Sequence, residues 1–191
     1  DLKLYRRRDS RNIPGQVRGA RAEKLAGTME RTRGIAMLID DRYRARLQAT
    51  IAALRYWCPS IADSAAITET SSDEYWEIDV VPHVRGACPF ELVLRTDGFH
   101  DLVVAGETYE DEPTDNLDLF VPFVSAIARG EVVQKTYAAA ATGLPLAVET
   151  IVDMGRDGSW HRRRSIDTNL KGEALGDTIV TTQAFLPYRR G

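Results

Sequence analysis

From Glu74 onward apolar residues recur at every second position, and this period constrains the fold more than any other feature of the chain. In "EYWEIDVVPH" Trp76, Ile78 and Val80 fall on one side of an extended backbone, while Tyr75, Glu77, Asp79 and His83 fall on the other. "PFELVLRT" repeats the pattern with Phe90, Leu92 and Leu94. Asp97-Gly98 then marks a hairpin, and "HDLVVAGE" brings the chain back. A three-residue loop there pairs Leu94 with Leu102, Leu92 with Val104 and Arg95 with Asp101, which sets apolar on apolar and joins opposite charges.

Two segments have a helical period instead. In residues 35–57, Leu38 or Ile39, Tyr43, Leu47, Ile51, Leu54 and Trp57 recur at intervals of three and four, with Pro59 just beyond. Residues 115–129 place Leu117, Phe120, Val121, Val124 and Ile127 on one stripe, with Asp115 as the cap and Gly130 as the stop. Carboxylates gathered at a helix start interact well with its dipole. The acidic run Glu107–Asp118 is therefore read as a helix entrance, not a metal site, although Pro122 is awkward inside the helix. "SIADSAAITETSSD" reads as a connection. After Gly130 four strands follow: "EVVQKTYAAAA", "LAVETIVDM", "SWHRRRS" and "TIVTTQAFLPY", with "GRDG" turning the middle pair.

The expected fold class is α+β: an antiparallel sheet of about six to seven strands, with two helices packed on one face. The expected core is Trp76, Ile78, Leu92, Leu94, Leu102, Val104, Phe120, Val124, Val148 and Val152.

Charge is distributed unevenly. Residues 1–46 carry thirteen Lys/Arg against six Asp/Glu, a balance of +7, whereas residues 57–160 carry five against nineteen, a balance of −14. Residues 1–34 read as a basic N-terminal arm and residues 35–191 as a single α+β domain. The arm is polar and glycine-broken, with one short helix expected over 16–26, and it cannot bury enough surface to order itself. Its candidate partner-binding residues are Leu4, Tyr5, Arg6, Arg7, Arg8, Arg11, Arg18 and Arg21. An acidic body repels the phosphate backbone that such an arm would seek, so a protein surface, its own or a second copy's, is the favoured target over nucleic acid.

Glu77, Asp79 and His83 on one strand face are the candidate ligand-binding residues. In Trp160–Arg164, alternation sends Arg162 and Arg164 to one face and Arg163 to the other, and cross-strand pairing of Arg164 with Glu149 is expected. There is no G-x-G-x-x-G, Walker A, G-x-S-x-G, H-E-x-x-H or C-x-x-C sequence, so no catalytic residue, metal or cofactor is assigned. Cys58 and Cys88 have neither disulfide-framework nor metal spacing. With no apolar run long enough to span a membrane and no signal-type core, a soluble cytoplasmic protein is expected. The leading expectation is a non-catalytic binding or assembly module, homo-oligomeric through its arm. The alternatives are a small-molecule enzyme or ligand-binding domain with a cleft between sheet and helices, and a nucleic-acid-associated protein using the arm.

Overall fold

The computed structural model describes residues 41–166 and 177–189. The arm with its eight candidate residues, and the first turns of the 35–57 helix, lie outside the described residues. The chain divides into two units, Asp1–Arg42 and Tyr43–Gly191, and all the strands belong to the second. The described residues form an α+β fold of two helices and nine strands in two antiparallel sheets. None of their helices is long and apolar enough to cross a membrane.

Helix α1 spans residues 41–57. Its stripe is buried as its spacing requires: Leu47, Ile51 and Leu54 share one cluster with Trp76, Leu92 and Leu94. Pro59 sits in the first turn of a 3-10 segment, Cys58–Ser60, where no amide donor is needed. The first sheet is a meander of β1 (Ala65–Ser71), β2 (Tyr75–Pro82), β3 (Phe90–Arg95), β4 (Phe99–Val104) and β5 (Glu107–Pro113). Helix α2 (Phe120–Ala128) follows. The second sheet has the order β8-β7-β6-β9, from β6 (Val132–Ala139), β7 (Pro145–Asp153), β8 (Ser159–Ser165) and β9 (Thr178–Ala184).

The expected single sheet is thus two sheets, and β1 and β5 are strands that the sequence did not declare. β5 begins at a two-residue turn in which Ala105 and Gly106 both have positive φ, 55° and 80°. That turn normally announces itself with Asn-Gly or Asp-Gly, and alanine hides it. β5 then packs its side chains on the second sheet without joining its ladder. Tyr109 donates to Thr150 Oγ1 at 3.1 Å, Glu107 pairs with Arg164, and Glu112 pairs with Arg162. The acidic run is therefore mostly strand, neutralised by arginines across the sheets.

The helix entrance also moves. Asn116, not Asp115, caps the turn Leu117–Leu119, its side chain accepting from the Asp118 amide. α2 starts at Phe120, so Pro122 falls in its first turn, where amides have no intrahelical partner, and the awkwardness disappears. The stop at Gly130 is as expected, with φ +80°.

The β3–β4 hairpin has a three-residue loop placed one residue earlier than expected. Leu92 faces Leu102, Leu94 faces His100, and Phe90 faces Val104. Gly98, at φ +92°, takes the left-handed last position of the loop, and the Asp97 side chain accepts from the Phe99 amide. The pairing slips by two residues, which leaves every side chain on its expected face. All ten expected core residues are buried, and all but Val148 lie in the one main cluster.

Candidate functional site

The outward face of the first sheet carries three strands' worth of acid. The strand register sets Asp79 of β2 directly opposite Glu91 of β3, and Glu77 opposite Val93. On the other side Val93 faces Asp101 of β4 and Glu91 faces Val103. Glu91 therefore has one carboxylate beside it and two more, Glu77 and Asp101, on its diagonals. Like charges directly opposite destabilise a sheet. Glu91 records the effect: partial burial, then Glu77, Asp79 and Asp101, hold its carboxyl above the usual glutamate range. Glu77, Asp79 and Glu91 have no cationic partner among the described residues. Beside them lies an open depression of about 640 Å³ lined by Tyr75, Glu77, Val93, Arg95 and Asp101.

Arg95, the nearest cation, is already committed. It meets Asp97 at 2.5 Å and Asp111 at 2.6 Å, with Asp101 at 3.8 Å. Its hydrogen bond holds the Asp97 carboxyl below the usual aspartate range. A bulge between His100 and Leu102 aims this group: Asp111 has φ +53°, and its amide donates to Asp101 Oδ1 at 2.7 Å. Arg95 is shared among three aspartates and leaves the β2–β3 carboxylates unmatched.

Of the sequence-predicted triad, the structure brings Glu77 and Asp79 together and removes His83. β2 ends at Pro82, and His83 follows in a bend, exposed, with its amide bonded to Ser64 O. The β2–β3 ladder ends at Val80 and Phe90, so His83 lies beyond the face that Glu77 and Asp79 share with β3.

The other histidines lie elsewhere. His100 is buried, stacked edge-on against Phe120 at 5.1 Å and 3.2 Å from Thr114 Oγ1. Burial, its largest influence, pushes its pKa down. It lines a cavity of about 180 Å³ with Phe120, Phe123, Met154, Trp160 and Arg162. His161 stands on the outward face of the second sheet, 2.6 Å from Glu149.

Glu149 does not pair with Arg164 as expected. Arg164 lies opposite Val148 and points inward to Glu107, whereas Glu149 lies opposite Arg163 and points outward. Its carboxylate accepts from Tyr137 at 2.7 Å and lies 3.5 Å from Lys135 Nζ. Sequence reasoning passed over this group because its members are spread over three strands and become neighbours only through two registers.

Both cysteines are free, and burial pushes the Cys88 thiol up to about 12, a value that keeps it protonated at neutral pH. Among the described residues no group of three or more His, Cys, Asp or Glu side chains is arranged to hold a metal ion. No family model, curated protein or solved structure matches this chain.

Proposed function

We propose that the chain is a non-catalytic binding and assembly module whose acidic sheet face takes a Lys/Arg-rich polypeptide segment. The observation behind this reading is Asp79 set opposite Glu91, with Glu77 and Asp101 on the diagonals and no described cation paired with Glu77, Asp79 or Glu91. A cost built into the free sheet and relieved by a cationic partner is the pattern expected of a recognition surface. Val93 and Val103, half-buried on the same face, add apolar contact between the charges. A segment that fits by composition is the basic arm of a second copy: residues 1–34 carry ten Lys/Arg against four Asp/Glu, a balance of +6. Each exposed ion pair contributes little, about 0–1 kcal/mol, so Leu2, Leu4, Tyr5 and Ile13 supply the anchoring apolar contacts in this reading.

Light scattering tests it with three proteins: the full chain, a form lacking residues 1–26, and an Asp79→Asn/Glu91→Gln variant. The reading expects the full chain to associate and both altered forms to run as monomers with the sheet intact by circular dichroism. Equal masses for all three would end it, and nucleic-acid binding lost with the arm would favour the nucleic-acid alternative instead.

A ligand-binding reading has one observation in its favour, the aromatic-lined cavity at His100. None of the candidate ligand-binding residues Glu77, Asp79 and His83 lines it. Thermal-shift screening of small aromatic compounds against wild type and a Phe123→Ala variant tests that reading separately.

A further inference from the structure

The outward face of the second sheet carries a different kind of site. Register sets Arg163, Glu149 and Lys135 in one row across β8, β7 and β6, with Thr182 of β9 at its end. Glu149 is 8% exposed and is the organiser. One carboxylate oxygen faces His161 Nε2 at 2.6 Å, and the other accepts from Tyr137 at 2.7 Å with Lys135 Nζ at 3.5 Å. An ionised carboxylate only accepts, so His161 Nε2 donates to Glu149 and the ring is held there. Arg163 reaches over the small Ala147, which lies between Ser165 and Tyr137, and lays its guanidinium on the Tyr137 ring at 4.3 Å from the centroid.

Donors outnumber acceptors here. Glu149 supplies the one carboxylate, and it is already enclosed. The Arg163 guanidinium is spread on an aromatic face with no carboxylate partner among the described residues, and Glu149 is the one carboxylate paired with Lys135 there. These side chains are held in position before any ligand arrives: Tyr137 and His161 by Glu149, and Arg163 by Tyr137. Held donors around a positive excess are what binding an oxyanion requires, since little ordering remains to be done on association.

We propose that Lys135 and Arg163 form a binding site for a phosphate group, either the free ion or the terminal group of a small phosphomonoester, with Glu149, Tyr137 and His161 as positioning residues. Cations on β6 and β8, one on either side of β7, suit a doubly charged tetrahedral anion better than a singly charged carboxylate. The site lies on the opposite kind of surface from the acidic face of the first sheet and does not depend on the assembly reading.

The test is calorimetric titration of the full chain with inorganic phosphate, glycerol 2-phosphate and acetate at low ionic strength. Saturable phosphate binding is expected, with acetate at least about tenfold weaker. Arg163→Gln should weaken it about tenfold or more, the loss of one charge-assisted contact, while Arg156→Gln in the β7–β8 turn should not change it. Tighter binding of glycerol 2-phosphate identifies the ester as the ligand class, and tighter binding of phosphate the free ion. If Arg163→Gln fails to fold, Lys135→Gln is read in its place. Equal losses in Arg163→Gln and Arg156→Gln, no saturation, or no preference over acetate would each overturn the assignment.

Discussion

Replacing Glu91 by glutamine should stabilise the free protein. The side chain sits mid-strand with Asp79 directly opposite and Glu77 and Asp101 on its diagonals. At a separation of about 5 Å two unit charges repel by about 0.8 kcal/mol in bulk water, and by more where the sheet displaces solvent. Cross-strand like pairs are unfavourable by about 0.2–1 kcal/mol. With the diagonal neighbours added, Glu91→Gln should gain about 0.5–1.5 kcal/mol at pH 7, a rise of roughly 2–4 °C per kcal/mol for a chain of this size. The gain has a pH signature. The Glu91 carboxyl is raised in the folded protein, first by burial and then by its acidic neighbours. A raised carboxyl leaves the fold unpenalised below the unfolded value of about 4.3, and the penalty enters as pH rises through the higher folded value. Urea denaturation at pH 7 and pH 3.5 should therefore separate wild type from variant at the first pH and bring them together at the second. Added salt at 1 M should shrink the pH 7 difference. A variant less stable than wild type at pH 7, or a gain that persists unchanged at pH 3.5, would refute the like-charge account. It would also remove the main support for the binding face.

Leu92, fully buried between β2 and β4, should cost about 2–5 kcal/mol on replacement by alanine; a loss below roughly 1 kcal/mol in urea denaturation would contradict its position. Gly130→Ala meets two obstacles, φ +80° and a Cβ only 2.6 Å from the Pro187 backbone nitrogen. It should lose more than about 1 kcal/mol, and a neutral result would mean that the C-terminal segment does not lie against α2. His100 has its pKa pushed down by burial, so below about 6.5 the unfolded chain takes up a proton that the fold resists. Stability should fall as pH drops from 7 to 5, and His100→Asn should flatten that slope; an unchanged slope would place the acid sensitivity elsewhere.

The fold was legible where one period ran unbroken and hidden where pairing partners were far apart. α1, β2, β3 and β7 declare themselves because each buries one regular set of side chains. β1 does not, since "AAITETS" is an edge strand with only Ala65 fully inside and Ile67 partly so. β5 does not, because its charges suit solvent until Arg162 and Arg164 meet them from a strand fifty residues on. The terminal "FLPY" read as the end of a strand. In the structure Leu186 bridges Ala87, and Tyr188 is buried with its hydroxyl on Cys88 O at 2.6 Å, a contact across a hundred positions. Glu77 and Asp79 were found from alternation alone. Glu91 and Asp101, which complete the acidic face, required the register, and the Glu149 group required two registers at once.

The placement of charge bears on how copies of this chain can associate. The acidic residues that β5 turns inward are neutralised by Arg162 and Arg164, so the unspent charge lies outward, negative on the first sheet and positive around Lys135 and Arg163 on the second. Complementary faces on one molecule invite a heterologous contact, in which each copy uses one face and leaves the other open. Such a contact does not close, and its mass climbs with concentration. Exchange of arms between two copies is isologous and closes at the dimer. The proposed assembly therefore predicts a light-scattering mass that reaches a plateau at two copies over a hundredfold range of concentration. Moderate salt should lower the association constant without changing the plateau. A mass that keeps rising, and that Arg163→Gln returns to monomer while removal of residues 1–26 leaves it rising, would assign association to the two sheet faces and take it away from the arm.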